Sequence, residues 1–200
     1  MLAVSAFWLG ACPFSLWIGR RLLGKDIREY GDGNPGAVNV FRAGGRKSGC
    51  LALAADMGKG VPFVILGHSL FGLPEGTVMA IGLAAILGSV FSPMLRFRGG
   101  KSLAATGGVL LALPQRDIAI LVAVFLLLGV LFVEQHAWLV VFGVAGPLVY
   151  LAATRRSPWE LLFMLGVLVV VAAKHREELK TVPGFGVRPV NWLRARQHKA

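Results

Sequence analysis

Apolar residues in this chain run in long blocks. They follow neither the two-residue period of a half-buried strand nor the 3.6-residue period of an amphipathic helix. A block that is apolar on every side is a helix buried in a bundle or facing lipid. A run of roughly 20 apolar residues can cross a bilayer as a helix. The candidate runs are residues 2–19, 49–73, 76–95, 118–133, 137–153 and 159–173, with a shorter run over 103–113. The pattern predicts an all-α polytopic integral membrane bundle of about seven membrane segments, one of them short. Residues 1–180 read as a single domain and 181–200 as a basic tail.

Composition excludes a soluble alternative. Of the 200 residues, 56% are hydrophobic and only 16% are charged. A soluble domain carries about 25% charged residues, so this chain has too little polar surface to cover its apolar mass. The net charge of +11 could point to nucleic acid, but the distribution of the charge argues otherwise. Of the 21 Lys and Arg, 17 fall in three places: residues 20–48, residues 96–101, and the stretch from Lys174 onward. Short basic segments between apolar spans mark the cytoplasmic face of a membrane protein. The expected partner is the lipid bilayer, with no nucleic acid.

The same rule sets the topology. With residues 20–48 inside, the turn containing Glu75 lies outside and residues 96–102 lie inside. Two passes over 103–133, joined at Pro114–Asp117, return the basic tail to the inside. Arg155 and Arg156 then sit outside, against the rule. The expected arrangement has the N-terminus out, the C-terminus in, and all three basic segments on one face. Residues 1–19 lack the positive start of a signal peptide and read as the first span. Cys12 and Cys50 read as small core residues, with no CxxC metal motif.

Three stretches carry candidate chemistry. The loop 24–48, GKDIREYGDGNPGAVNVFRAGGRKS, holds six glycines, Asn34, Asn39, Arg42, Arg46 and Lys47. Glycines let the backbone come close to a ligand, and exposed N–H groups beside Arg and Lys suit an anion. The second stretch, RFRGGKSLAATGG, ends like a phosphate-binding P-loop. It lacks the first glycine that motif needs, because position 95 is Leu95. What survives is Gly99 and Gly100 beside Lys101, with a short helix beginning near Ser102, an arrangement that favours anions. The third stretch holds His175 and Arg176 at the end of the last span. On its surroundings alone, His175 reads as an interfacial residue. Asp56 and Lys59 are charges inside an apolar span, with a spacing that lets them pair. The sequence shows no nucleophile elbow or HExxH motif, and its histidines are scattered, so no metal site is expected.

Four ordered stretches, GACPFSLWIGRRLLGKDIREYGDGNPGAVNVFR, ADMGKGVPF, FRGGKSLAATGGVLLAL and KHREELK, resemble the bacterial acyl-phosphate-dependent glycerol-3-phosphate acyltransferases. The resemblance runs from about Leu9 to Lys180. It implies seven spans in the bacterial inner membrane with a cytoplasmic active site. It implies acyl transfer from acyl phosphate to the 1-hydroxyl of glycerol 3-phosphate, giving lysophosphatidate and phosphate, with no metal or coenzyme A. It assigns catalytic roles to Lys101, His175 and Arg42. Asn34, Gly36, Asn39, Gly99, Gly100 and Ser102 become substrate-binding residues.

The sequence also departs from the family pattern. Asp32 stands where the family has Ser, Ser102 where it has Gly, and Glu178 where it has Asn. Gly88 is followed by Ser89, and Ser92 precedes Pro93, where a Gly-His pair is common. The serines the family places near the turn between the fifth and sixth segments are absent around Glu134–Val140. Asp32 and Glu178 add negative charge to a site meant for anions. They motivate a second reading, a diverged relative that holds a lipid phosphate without transferring an acyl group. A small membrane transporter is a third reading, with Asp56 and Lys59 as its chief polar residues inside the spans.

Overall fold

A computed structural model describes residues 1–154 and 156–181. Arg155 and all of the tail 181–200 beyond Thr181 lie outside the described residues. Each of the seven predicted apolar runs is helical, and the described residues contain no strand. The chain divides into two compact units, Met1–Arg116 and the part from Asp117 onward.

The first predicted span is two helices, α1 (Leu2–Ala11) and α2 (Phe14–Leu23), separated at Cys12–Pro13. Proline lacks an N–H and disfavours a helical residue before it. Cys12 is accordingly extended. The break leaves carbonyls without helical partners, and distant side chains take them. The Ser92 hydroxyl donates to the Ala11 carbonyl at 2.5 Å, and Lys59 Nζ lies 3.4 Å from the Cys12 carbonyl. The unusual Ser92 therefore has a structural role.

Within the loop 24–48 the chain forms α3 (Ala37–Arg42), which the hydrophobic pattern did not reveal. Next comes α4 (Arg46–Gly58), and then α5 (Pro62–Ile65), which continues into a π turn over Leu66–Leu70. The second predicted span is interrupted more mildly than the first, by a turn over residues 59–61 ahead of Pro62, with Val61 still in the helical region. The first unit is completed by α6 (Glu75–Val90) and α7 (Leu103–Ala112). Small residues let its helices approach backbone to backbone. A Cβ added at Gly10 would lie 2.1 Å from the Ala85 carbonyl oxygen, and one at Gly88 would lie 2.0 Å from that of Phe7. The α1–α6 seam is built on these two positions.

The second unit holds α8 (Arg116–Phe132), α9 (His136–Ala153) and α10 (Pro158–Lys174). Ile120, Val124, Leu127 and Leu131 stand exposed at i, i+4, i+7 and i+11 along α8. That stripe is a lipid-facing surface rather than a soluble one. Among the described residues, four helical runs are long and apolar enough to cross a membrane: Leu2–Leu23, Arg46–Leu70, Glu75–Leu95 and His136–Ala153.

Asp56 and Lys59 form the predicted pair, 3.1 Å apart and buried. The sequence did not reveal their third member, Ser15, whose hydroxyl donates to Asp56 at 2.5 Å. Removing one partner of a buried pair strands the other charge and costs about 3–5 kcal/mol. Asp56→Ala is expected to lower the melting temperature in detergent by that stability loss. Asp56→Ala combined with Lys59→Met should recover most of it. Equal melting of Asp56→Ala and the parent would show that the pair is structurally idle.

Candidate functional site

The loop 24–48 is held firmly. Asp26 caps a 3-10 turn over Ile27–Glu29, accepting from the Arg28 backbone N–H, and its carboxylate also binds the guanidinium groups of Arg28 at 2.7 Å and Arg20 at 2.8 Å. The Arg28 hydrogen bond is the main reason the Asp26 carboxyl lies well below the usual carboxylate range. Lys25 donates to the Ala43 carbonyl at 2.8 Å, across the base of the loop. Beneath, Leu16, Ile27, Ala37, Val40, Ala43 and Ala52 form one buried apolar cluster. That cluster is why the six-residue α3 is stable, far below the length at which an isolated helix holds.

Above this floor, polar groups from two distant stretches converge on Asp32. Lys101 Nζ lies 3.0 Å from Asp32 Oδ2. Asn39 Nδ2 donates to Asp32 Oδ1 at 3.1 Å, and the Asn34 backbone N–H donates to the same oxygen at 3.3 Å. The Arg42 guanidinium stands 3.8 Å from Oδ1 and donates to Asn39 Oδ1 at 3.1 Å. Asn39 also donates to the Asn34 carbonyl at 2.8 Å, so its amide is fixed from both ends. Burial pushes the Asp32 carboxyl up. The hydrogen bond and charge of Lys101, with the Asn34 N–H and the Asn39 amide, outweigh that and leave it below its ordinary value. The result is a carboxylate seated among donors that would equally hold a phosphate.

Lys101 is presented by an unusual backbone. Arg96, Phe97 and Ser102 all adopt positive φ, at 52°, 62° and 62°. Non-glycine residues pay for this conformation, and such outliers cluster at functional sites. Ser102 precedes α7 but does not cap it, and its hydroxyl lies 3.4 Å from the Ile86 carbonyl. The glycine that the resemblance expects there suits this φ better than serine does. Gly99 packs against the end of α6, where a Cβ would lie 2.2 Å from the Ser89 carbonyl oxygen. Gly100 faces Asn34, whose Oδ1 would be 2.9 Å from a Cβ. Gly36 lies beside the Asn34 side chain and precedes α3.

The structure thus gathers Lys101, Arg42, Asn34, Asn39, Gly36, Gly99, Gly100 and Asp32 in the first unit. Asp56 and Lys59 belong to a separate cluster with Ser15. His175 and Glu178 belong to the second unit. His175 is fully buried at the end of α10, which corrects the reading of it as an exposed interfacial residue. Its Nδ1 lies 2.9 Å from the Val171 carbonyl, while Nε2 is buried with no hydrogen-bond partner among the described residues. A carbonyl can only accept, so this contact places a proton on Nδ1. The His136 ring is 6.3 Å away, centroid to centroid. Glu178 is exposed, in a 3-10 turn over Glu178–Lys180.

Lipid-facing helices and a basic, glycine-rich loop whose donors gather on one carboxylate together describe an integral membrane protein. Comparison with known proteins makes this specific. The family model described as "Glycerol-3-phosphate acyltransferase" matches residues 1–183. A relative of that name from Streptococcus pyogenes is 38% identical over 194 residues, covering 94% of this chain and 91% of its own. Another from Geobacter sulfurreducens is 36% identical over 182 residues, covering 90% and 91%. Among solved structures, the fold resembles the glycerol 3-phosphate form of PlsY, described as an integral membrane glycerol 3-phosphate acyltransferase. The TM-score is 0.79 at 27% identity, covering 90% of this chain and 88% of that one. The lysophosphatidic acid form of PlsY gives a TM-score of 0.78. The chain belongs to the glycerol-3-phosphate acyltransferase family.

Proposed function

We propose that this chain transfers an acyl group from acyl phosphate to the 1-hydroxyl of glycerol 3-phosphate on the cytoplasmic face of a bacterial inner membrane. The observation that carries this reading is the seat around Asp32, where an ammonium, an amide and a backbone N–H hold one anion beside a guanidinium. Both substrates of this reaction are phosphoryl anions. Solved forms of PlsY are described with glycerol 3-phosphate and with lysophosphatidic acid. The three basic segments support the cytoplasmic side and a seven-segment topology with the C-terminus inside.

In the reaction, the 1-hydroxyl oxygen attacks the acyl carbonyl carbon, and the bond from that carbon to the phosphate oxygen breaks. Phosphate leaves with the electron pair of that bond. The hydroxyl proton passes to a phosphate oxygen of the substrate. Acyl phosphate is already activated, so the enzyme's task is to hold two anions close and aligned. Lys101 and Arg42 supply positive charge, and Asn34, Asn39 and the backbone at Gly36, Gly99 and Gly100 supply donors and room. Ser102 sets the start of α7 behind Lys101. His175, carried over from the resemblance, is kept in this reading as a residue that orients a substrate hydroxyl. Residues 1–180 act as one catalytic domain in this reading, with a basic tail beyond.

The test is phosphate release from palmitoyl phosphate by the purified chain, with and without glycerol 3-phosphate. Release that depends on glycerol 3-phosphate and yields lysophosphatidate is expected. A folded protein that releases none, beside an active family member, would sink the reading in favour of the diverged relative.

A further inference from the structure

We propose that Asp32 is a built-in competitor for the anion site: its carboxylate occupies the lysine, amide and backbone donors that a substrate phosphate uses, and phosphate binds by displacing it. The inference rests on reading this seat as the place where a substrate anion binds.

Three observations carry it. The first is donor identity. Each donor on Asp32 is of a type that binds phosphate, and they come from stretches far apart in sequence: Asn34 and Asn39 on one side, Lys101 on the other. The second is position. The Lys101 side chain is 17% exposed and that of Asp32 is 40% exposed, so the carboxylate is the more solvent-accessible member of the pair. The third is freedom to leave. Asp32 stands between Gly31 and Gly33, at φ 61° and 72°. Glycines on both sides let the residue between them swing with little steric cost. A Cβ at Gly31 would lie 2.1 Å from the Arg42 guanidinium and 2.5 Å from the Asn39 amide oxygen, so only glycine fits at this pivot.

The charge count gives the consequence. Lys101 and Arg42 contribute two positive charges and Asp32 one negative, leaving the cradle at +1 instead of +2. An incoming phosphate must break the Lys101–Asp32 contact and then tolerate the displaced carboxylate nearby. Asp32 therefore weakens phosphate binding and raises the substrate concentration at which the site fills.

The test is calorimetric titration of inorganic phosphate into the full chain in detergent, for the parent, Asp32→Ser, Asp32→Asn and Asp32→Glu, with KM for glycerol 3-phosphate measured alongside. Ser and Asn remove the competing charge and are expected to tighten phosphate binding by about tenfold and lower KM in step. Glu keeps the charge and should stay within about twofold of the parent. Melting curves confirm that each variant is folded. Unchanged or weaker phosphate binding in both Ser and Asn variants overturns the proposal and makes Asp32 a positioning residue for Lys101. A fall in kcat of more than about a hundredfold at constant KM also overturns it, because Asp32 would then handle the proton. The two readings fail separately. If phosphate tightens as expected but no lysophosphatidate forms, the competitor stands and the acyltransferase reading falls. If lysophosphatidate forms but phosphate binding ignores Asp32, the reverse holds.

Discussion

Lys101→Ala is expected to lower kcat/KM for glycerol 3-phosphate-dependent phosphate release by about a thousandfold. Removing one preorganised charged donor from an acyl-transfer site costs on the order of 10²–10³ in kcat. Weaker binding adds to that loss. The charge count explains why this lysine outweighs its neighbours. Without it, Arg42 and Asp32 cancel, and the cradle has no net attraction for an anion. Arg42 stands farther off, at 3.8 Å from the carboxylate, with its side chain half exposed. Lys101 is the most enclosed cation of the cradle, at 17% exposure, where charge is screened least by water. Lys101→Arg keeps the charge but alters the contact geometry, and should retain more activity than Ala. Adding Asp32→Ser to Lys101→Ala restores the net +1 and should recover part of the binding but little of kcat. A loss of less than about tenfold in Lys101→Ala would mean that Lys101 does not face the reacting phosphate.

The second large effect falls on stability, at the α1–α6 seam. Gly88→Val and Gly10→Val are each expected to cost at least about 3 kcal/mol, or to prevent a folded protein from being recovered. Overpacking a core costs about 1–3 kcal/mol when side chains can shift. Here the obstructing atoms are backbone: the Phe7 carbonyl at 2.0 Å and the Ala85 carbonyl at 2.1 Å. Neither can turn aside, so the helices must part along the seam. Gly58→Ala is the control, because an added Cβ there meets nothing within 4 Å. It should melt within about 0.5 kcal/mol of the parent. Melting curves in detergent decide the matter, and a Gly88→Val protein as stable as the control would refute this account of the seam.

The helices were legible because uninterrupted apolar blocks admit few other structures. The breaks inside the first two blocks were less so. Pro13 and Pro62 lay within them, but a proline can kink a membrane helix or divide it. Which occurs depends on partners such as Ser92 and Lys59, distant in sequence, that take the freed carbonyls. The short helix Ala37–Arg42 was hidden because AVNVFR has no block or clear period. Its stability comes from Ile27 and Leu16 beneath it.

The site divides in the same way. Glycines and basic residues marked both stretches that meet at Asp32, with asparagines in the first of them, and the spacing of Asp56 and Lys59 allowed their pairing. That Asp32 would sit on Lys101 was not readable, because nothing local brings residues 32 and 101 together. The burial of His175 was missed for the related reason that a residue next to charged neighbours looks exposed in sequence. The clue lay in its one-turn spacing from Val171, whose carbonyl it bonds.

The segment from Arg96 to Ser102 has one more implication. Left-handed backbone costs a side-chain-bearing residue about 1–2 kcal/mol, and this segment contains three such residues. Glycine at Ser102, the residue the resemblance expects there, would relieve strain at that position. At Arg96 and Phe97 glycine would also relieve strain, but it would loosen the turn that leads to the lysine. Robustness and aim are therefore opposed at Arg96 and Phe97, as in other proteins whose working parts are less stable than their frames. Variants evolved for heat resistance should change Ser102 first and leave Arg96 and Phe97 alone if they are to keep their activity.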